Sequence, residues 1–179
     1  MLPLHFDNFS IRPITINDAA AYFSLVDSNR ERISFYFPFT SKINSDIEST
    51  TAHLAERMAH AEKNLFTILV ITDNPSGKIV GAIIFKDIDW SIPKCELGFF
   101  MDKNYEGKGI MARSLSLVTD VCFNETELVK FFLRIDPENI SSRRVAEKAG
   151  FLVEGIIRKD FKTGDGTLKD LVYYGLLQP

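Results

Sequence analysis

The sequence is poor in the features that mark several large classes of protein. It has two cysteines in 179 residues, Cys95 and Cys122. Two cysteines without metal-ligand spacing cannot build a disulfide framework, so a reduced, cytoplasmic setting is the economical expectation. No apolar run reaches the ~18–20 residues needed to cross a membrane. The N-terminal MLPLHFDNF lacks the basic and apolar regions of a signal peptide, so no membrane partner is expected. Charge of one sign is not in excess: 21 Lys and Arg face 24 Asp and Glu, for a net −3. That balance argues against a general nucleic-acid binder and is compatible with a cationic substrate. Internal repeats, low-complexity segments and linkers are absent. His53 and His60 could share a helix face, but no cluster of carboxylates or thiolates accompanies them, so they read as solvated or semi-buried and no metal is expected.

What is present is enough apolar content, 45% of the chain, for one real core spanning residues 1–179. The most informative stretch is CELGFFMDKNYEGKGIMARSLSLVTDVCF, Cys95 to Phe123. Cys95 to Met101 is an apolar, β-favouring run whose single charge is Glu96, which predicts a strand. Asp102 to Lys108 is polar and turn-like. From Gly109 onward Ile110, Leu115, Leu117, Val118, Val121 and Cys122 recur at roughly helical spacing. Gly107 and Gly109 therefore sit where strand becomes helix, a place where free N–H groups and the helix dipole favour phosphate. Three readings of this loop compete. It is a plain turn, a dinucleotide site (Gly107, Gly109 and Ala112 formally fit G-x-G-x-x-G/A), or a pyrophosphate cradle for an acyl-coenzyme A.

Along the chain, Phe9 to Ile14 predicts a strand and Thr15 to Asp27 a capped helix with Asp18 near its start. The segment ISFYFPF carries Phe35, Tyr36, Phe37 and Phe39 around Pro38. It is either a buried plug or the aromatic wall of a substrate pocket, since such rings grip apolar stems and cations. Ser45 to Asn64 predicts a helix, and Leu65 to Thr72 and Ile79 to Ile88 a hairpin through the turn Asn74 to Lys78. Phe131 to Asp136 predicts a strand parallel to the Cys95 strand. Asn139 is a natural N-cap for a helix ending at Ala149 and closed by Gly150, with Ser142 at the third position and Val145, Ala146 and Ala149 as its buried stripe. Two further strands, Phe151 to Phe161 and Leu168 to Leu177, close a mixed α/β sheet with helices on its faces. A dinucleotide fold would alternate strand and helix more strictly and open with the glycine motif, which weighs against that reading.

The motifs IRP (Ile11 to Pro13), CELGFF (Cys95 to Phe100), YEGKGIM (Tyr105 to Met111), NISSRRVAEKAGF (Asn139 to Phe151), EG (Glu154, Gly155) and DLVYYGLL (Asp170 to Leu177) occur in order over nearly the whole chain. Together they resemble the GNAT superfamily of N-acetyltransferases, and within it the Rim-type branch that acts on ribosomal-protein N-termini. The resemblance implies a GNAT-type mixed, mostly antiparallel sheet, splayed between two parallel strands and carrying helices on both faces. It implies acetyl-CoA as co-substrate, with the pantetheine arm in the splay near Leu97, Gly98 and Phe99. The pyrophosphate would lie on Gly107, Lys108, Gly109, Ile110, Met111, Ala112 and Arg113, with Asn139 and Ser142 contacting the cofactor. It further implies an amine acceptor, foremost a protein N-terminus, and a possible homodimer. Three positions depart from the superfamily pattern, one of them Met111, which stands where the last small residue of the loop is usual. Glu106 stands where a Gln or Arg is usual, a repulsion that Lys108 and Arg113 are expected to offset. Ala146 stands where many relatives carry a tyrosine as acid for the departing thiolate, and Ser142 is the substitute that the branch suggests.

Chemistry narrows the acceptor. An amine attacks a thioester only when neutral, which at pH 7 costs about 1.4 kcal/mol for an α-amine and about 4.6 kcal/mol for a lysine-like amine. Glu96 is the candidate base, directly or through water, or else the binder of a cationic substrate. Backbone N–H groups near Leu97 and Gly98 are candidates to steady the oxyanion. Neither cysteine has an evident partner base, so direct transfer is expected over a covalent thiol intermediate. A polyamine or antibiotic-type acetyltransferase, and a non-catalytic acyl-CoA sensor, remain the alternatives.

Overall fold

The computed structural model of the protein describes residues 2–59 and 67–179. Eight strands, β1 (Leu4–Phe6), β2 (Phe9–Pro13), β3 (Ile68–Asp73), β4 (Lys78–Asp89), β5 (Lys94–Met101), β6 (Lys130–Ile135), β7 (Leu152–Lys162) and β8 (Leu168–Leu177), form one sheet. Their spatial order is β1-β2-β3-β4-β5-β6-β8-β7. Only β5 and β6 run parallel; all other neighbours are antiparallel. Helices α1 (Ala19–Ser28), α2 (Arg30–Tyr36), α3 (Pro38–Ile43) and α4 (Ile47–Ala59) precede β3 in the chain. Helix α5 (Ile110–Glu125) joins β5 to β6, and α6 (Ile140–Lys148) follows β6.

The central strands are apolar on both faces, as a sheet covered on both sides requires. Alternate side chains feed two cores. On one face Tyr22, Leu25, Val26 and Leu54 pack with Val70, Ala82 and Phe100. On the other Leu115, Val118 and Ala146 pack with Ile83, Leu97, Phe131 and Tyr174. Ala146 is fully buried in that second core, which explains why α6 carries a small residue there.

Several boundaries differ from the sequence expectation. Strand β1, three residues long, pairs with β2 at the sheet edge and is too short for a periodicity signal. The helix expected from Thr15 opens with a short 3-10 turn at Ile16–Asp18 before α1. There Asp18 accepts the Thr15 N–H and both guanidinium nitrogens of Arg12 at 2.7 Å. Burial opposes the Asp18 charge, but Arg12 and Thr15 outweigh it and hold the carboxyl below the usual carboxylate range. The aromatic segment is helical, and Pro38 opens a new helix after α2 ends at Tyr36. The helix expected over 45–64 is seen as α4 to Ala59; its remainder, with His60, and the first two residues of the strand expected from Leu65 lie outside the described residues.

Candidate active site

The site begins with a failure of strand pairing. β5 pairs with β6 only from Lys94 to Glu96, against Lys130 to Phe132. On its other edge β5 stays paired with β4 as far as Met101, and β6 stays paired with β8 as far as Ile135. Past Glu96 the two parallel strands have separated, leaving unpaired edges at Leu97–Met101 and Leu133–Ile135. The Asp102 N–H donates to Val80 of β4. Backbone alternation then sends the N–H groups of Leu97, Phe99 and Met101 into the gap and that of Gly98 toward β4. The sequence had named Leu97 and Gly98 together as oxyanion donors. Strand alternation allows Leu97 and Phe99 but not Gly98.

Gly98 has a different use. A side chain built there would meet the Phe37 ring at 3.1 Å and the Lys86 stem at 3.2 Å. Its absence lets the aromatic segment close over the strand.

Two cavities meet at the splay. The larger, about 790 Å³, is lined by Arg32, Phe35, Gly107, Gly109–Ala112, Ile140, Arg144 and Lys148, among others. Gly107 and Gly109 take positive φ, +74° and +77°, and no atom lies within 4 Å of where their side chains would be. The backbone therefore faces open space. The N–H groups of the first α5 turn precede the first helical bond, from Arg113 to the Gly109 carbonyl at 3.1 Å, and are free to hold an anion. The smaller cavity, about 110 Å³, lies between Glu96, Lys86, Arg134 and Asp136. Tyr36, Phe37, Phe99, Asn139 and Ser142 line both, so the two spaces adjoin at these residues. Asn139 caps α6 by accepting the Ser142 N–H at 3.1 Å and the Ser141 hydroxyl at 2.9 Å.

Glu96 is the one acidic residue of β5 and is almost fully buried, at 2% exposure. Lys86 Nζ donates to its Oε1 at 2.6 Å, and Arg134 donates twice to Oε2, at 2.5 and 3.0 Å. Arg134 also reaches Asp160 at 3.4 Å and Asp87 at 3.3 Å. Burial disfavours the Arg134 charge, but its bonds to Glu96 and Asp160 outweigh this and hold the guanidinium above its ordinary value. Both Glu96 oxygens are thus committed to cations. Nearby, Asp136 Oδ1 accepts the Glu138 N–H at 2.8 Å. Its buried Oδ2 has no hydrogen-bond partner among the described residues, with Lys169 Nζ 3.6 Å away. Burial, then the Asp136 charge, push the Tyr36 hydroxyl above its ordinary value, so it remains a donor at neutral pH. Burial likewise drives both thiols up to about 12, which leaves Cys95 and Cys122 un-ionised.

Most residues named from the sequence come together here. Glu96, Leu97, Gly98, Phe99, Asn139 and Ser142 line the small cavity, and Gly107, Gly109, Ile110, Met111 and Ala112 the large one. Three do not join them. Lys108 donates to the Asn104 carbonyl at 2.9 Å and lies over the Tyr105 ring. Arg113 pairs with Asp7 at 2.9 Å and covers the Phe6 ring. Neither offsets Glu106 as expected; Arg32 does, pairing with Glu106 from α2 while donating to the Met101 carbonyl at 2.8 Å. Phe35, Tyr36 and Phe37 face the cavities, but Phe39 is 66% exposed and set edge-on to His53, because the new helix at Pro38 turns it outward. Sequence reading missed Lys86, Arg134, Asp136 and Arg32. Arg134 carried a usable signal, a charge that follows the apolar run Phe131, Phe132 and Leu133 in the strand parallel to that of Glu96. Lys86 follows from the hairpin register, which sets it opposite Glu96.

Comparison with known proteins agrees with this geometry. Residues 8–152 match the family model described as an acetyltransferase (GNAT) domain. The chain is 32% identical over 177 residues to a probable N-acetyltransferase, YjcK, of Bacillus subtilis, covering 94% of this chain and 93% of that protein. It is 30% identical over 173 residues to a putative ribosomal N-acetyltransferase, YdaF, of the same organism, covering 96% and 92%. Its structure overlays that of the ribosomal-protein-S5-alanine acetyltransferase from Vibrio fischeri with a TM-score of 0.92 at 24% identity, over 99% and 97% of the two chains. The family match over residues 8–152, with a relative 32% identical along nearly the whole chain, places the protein in the GNAT family of acetyltransferases.

Proposed function

We propose that the protein transfers an acetyl group from acetyl-CoA directly to a primary amine, foremost the α-amine at a protein N-terminus. The observation that carries this is the junction of the two cavities at Ser142: one is long, with an anion-binding loop, and the other is small and charged. Acetyl-CoA supplies an activated acyl group. The chain's residues fit it. The first-turn N–H groups of α5 and the open backbone at Gly107 and Gly109 take the pyrophosphate. The free edge of β5 takes the amide-bearing arm, and one of the Leu97 and Phe99 N–H groups, which stand about 6.8 Å apart along the strand, would meet the oxyanion. Ser142, held by the Asn139 cap, offers its hydroxyl to the leaving sulfur. A thiolate is a fairly good leaving group, so a hydrogen bond suffices there.

Glu96 takes a different role from the one first expected. With both oxygens held by Lys86 and Arg134, it anchors the floor of the small cavity and fixes the electrostatics of the acceptor space. Asp136 is the carboxylate with spare capacity, and its Oδ2 is the better seat for an amine N–H. Lys169 beside it disfavours a second cation, which favours an amine that is neutral at modest cost, as an α-amine is. The 30% identity to a putative ribosomal N-acetyltransferase supports a protein N-terminus as acceptor.

The test is thiol release from acetyl-CoA over a panel of peptides with varied N-termini, a spermidine-like polyamine and an aminoglycoside, with product mass locating the acetyl group. Acetylation of a peptide α-amine is expected. Transfer to the small amines alone overturns the protein-acceptor reading, and binding without any transfer favours a sensor.

A further inference from the structure

The edge strand β7 and its turn display charge of one sign. Residues 152–167 hold three acids, Glu154, Asp160 and Asp165, and three bases, Arg158, Lys159 and Lys162. The acids are all taken up. Glu154 accepts twice from Lys130, at 2.6 and 2.8 Å, and Asp160 lies 3.4 Å from Arg134. Asp165 accepts the Thr163 hydroxyl and the Thr167 N–H inside the turn. The bases are all exposed, and among the described residues their side chains make no hydrogen bond or ion pair. A chain of net charge −3 thus carries a local patch of three cations. β7 ends the sheet, and charge on an edge strand blocks unwanted pairing. Either sign serves that purpose, so it does not explain why every acid is turned to a partner and every base is left out.

The patch adjoins the acceptor space. Phe161, which stands between Lys159 and Lys162 in the chain, lines the small cavity. Its cross-strand partner Lys169 lies 3.6 Å from Asp136 Oδ2. The pairing with β8 is irregular between Ile157 and Phe161. There Lys159 takes a left-handed φ of +53°, and its N–H donates to Asp170 at 2.9 Å. An extended chain advances about 3.3 Å per residue, so Arg158 and Lys162 lie within roughly 10 Å of Phe161 along the strand. An acceptor whose terminal amine reaches the small cavity would carry its next few residues past these bases. We propose that β7 docks an acidic segment of the acceptor protein, at its second to about fifth residues. This rests on the protein-acceptor reading above and adds the chemistry of the sequence behind the α-amine. The same bases, with Lys169, repel polycationic small amines. RNA phosphates would also meet them, but the cavity beside them, about 110 Å³, takes a chain end, and the net charge of the protein opposes a long polyanion.

The experiment is steady-state thiol release from acetyl-CoA with the full chain and two peptides. Both peptides begin with alanine. The residues that follow alternate aspartate and glutamate in one, and asparagine and glutamine in the other. Three exposed charge pairs predict a KM about tenfold lower for the acidic peptide, with kcat alike. The triple variant Arg158→Gln, Lys159→Gln, Lys162→Gln should bring the two KM values together. Raising salt should shrink the wild-type preference. Thermal melts check that the variant is folded, and Lys162→Gln alone should give a smaller shift in the same direction. Equal KM values in the wild type, or a preference that survives in the triple variant, overturns the docking assignment and leaves the protein-acceptor reading in place. RNA binding that the triple variant loses, with no peptide preference in the wild type, overturns it in favour of a nucleic-acid surface. Acetylation of neither peptide overturns the protein-acceptor reading and the docking assignment with it.

Discussion

The two cavities that meet at Ser142 treat charge in opposite ways. In the small one, Glu96 is buried and each of its oxygens holds a cation, Lys86 or Arg134. On the rim of the large one, Arg144 and Lys148 are exposed and have no partner among the described residues, and the backbone at Gly107 and Gly109 faces open space. Paired charge at the floor of a cleft belongs to the architecture. Charge at its mouth that has no partner among the described residues is left available to a ligand. A search for site residues by type alone treats Glu96 and Arg144 as similar candidates, and their partners separate them. The same contrast divides the glycines. Gly98 is small so that Phe37 and Lys86 can close down, whereas Gly107 and Gly109 are small so that nothing does.

If this division is right, breaking the floor should cost stability and breaking the rim should cost binding. The largest effect is expected at Glu96. Glu96→Ala leaves two cations facing each other over a void, and unpairing a buried ion pair costs about 3–5 kcal/mol. Lys86 and Arg134 are partly exposed, so the low end of that range is expected, read as a fall in the urea midpoint. A stable Glu96→Ala with lost turnover would instead return Glu96 to the role of base. At the junction, Ser142→Ala is expected to lower turnover about tenfold, below the full effect of a general acid, with acetyl-CoA affinity nearly unchanged in a steady-state assay.

On the loop, Gly109→Ala places a side chain at φ +77° with free space around it. Strain alone then sets the cost, about 1–2 kcal/mol, and cofactor affinity falls because the added methyl occupies the phosphate approach. At the mouth, Arg32 and Glu106 are both exposed, so Glu106→Gln should change stability by less than about 1 kcal/mol while tightening acetyl-CoA binding by removing a negative charge from the phosphate loop. The smallest effect concerns pH. With both thiols raised to about 12, the rate should show no thiol ionisation between pH 7 and pH 9, and native Cys95 should resist alkylation at pH 8. An inflection in that window that disappears in Cys95→Ser would reopen a thiol route.

The sequence carried the parts of this site that a local pattern can express. Gly107, Gly109, the Asn139 cap and the lone Glu96 all stand out within windows of a dozen residues. The splay itself was legible only through the family resemblance, because it arises from where β5 and β6 stop pairing, a relation between strands far apart in the chain. The partners of Glu96 were missed for the same reason, although Lys86 follows from hairpin register and Arg134 from a charge placed after the apolar run Phe131, Phe132 and Leu133 in the neighbouring parallel strand. Phe39 was misplaced because the helix break at Pro38 separates it from Phe37, and an aromatic run does not show which of its rings turn together. Lys108 and Arg113 were misplaced because closeness in sequence to a phosphate loop does not fix the direction of a long side chain that can reach Tyr105 or Asp7 instead.

The most direct test of the account is a single-turnover experiment followed by intact-mass measurement. The protein is mixed with acetyl-CoA alone, then with a peptide bearing a free α-amine. The account predicts that the protein mass stays unchanged in the first stage and that the acetyl group appears on the peptide amine in the second, with one thiol released per acetyl transferred. An acetylated protein before the peptide arrives, or an unmodified peptide after it, would contradict direct transfer at the splay.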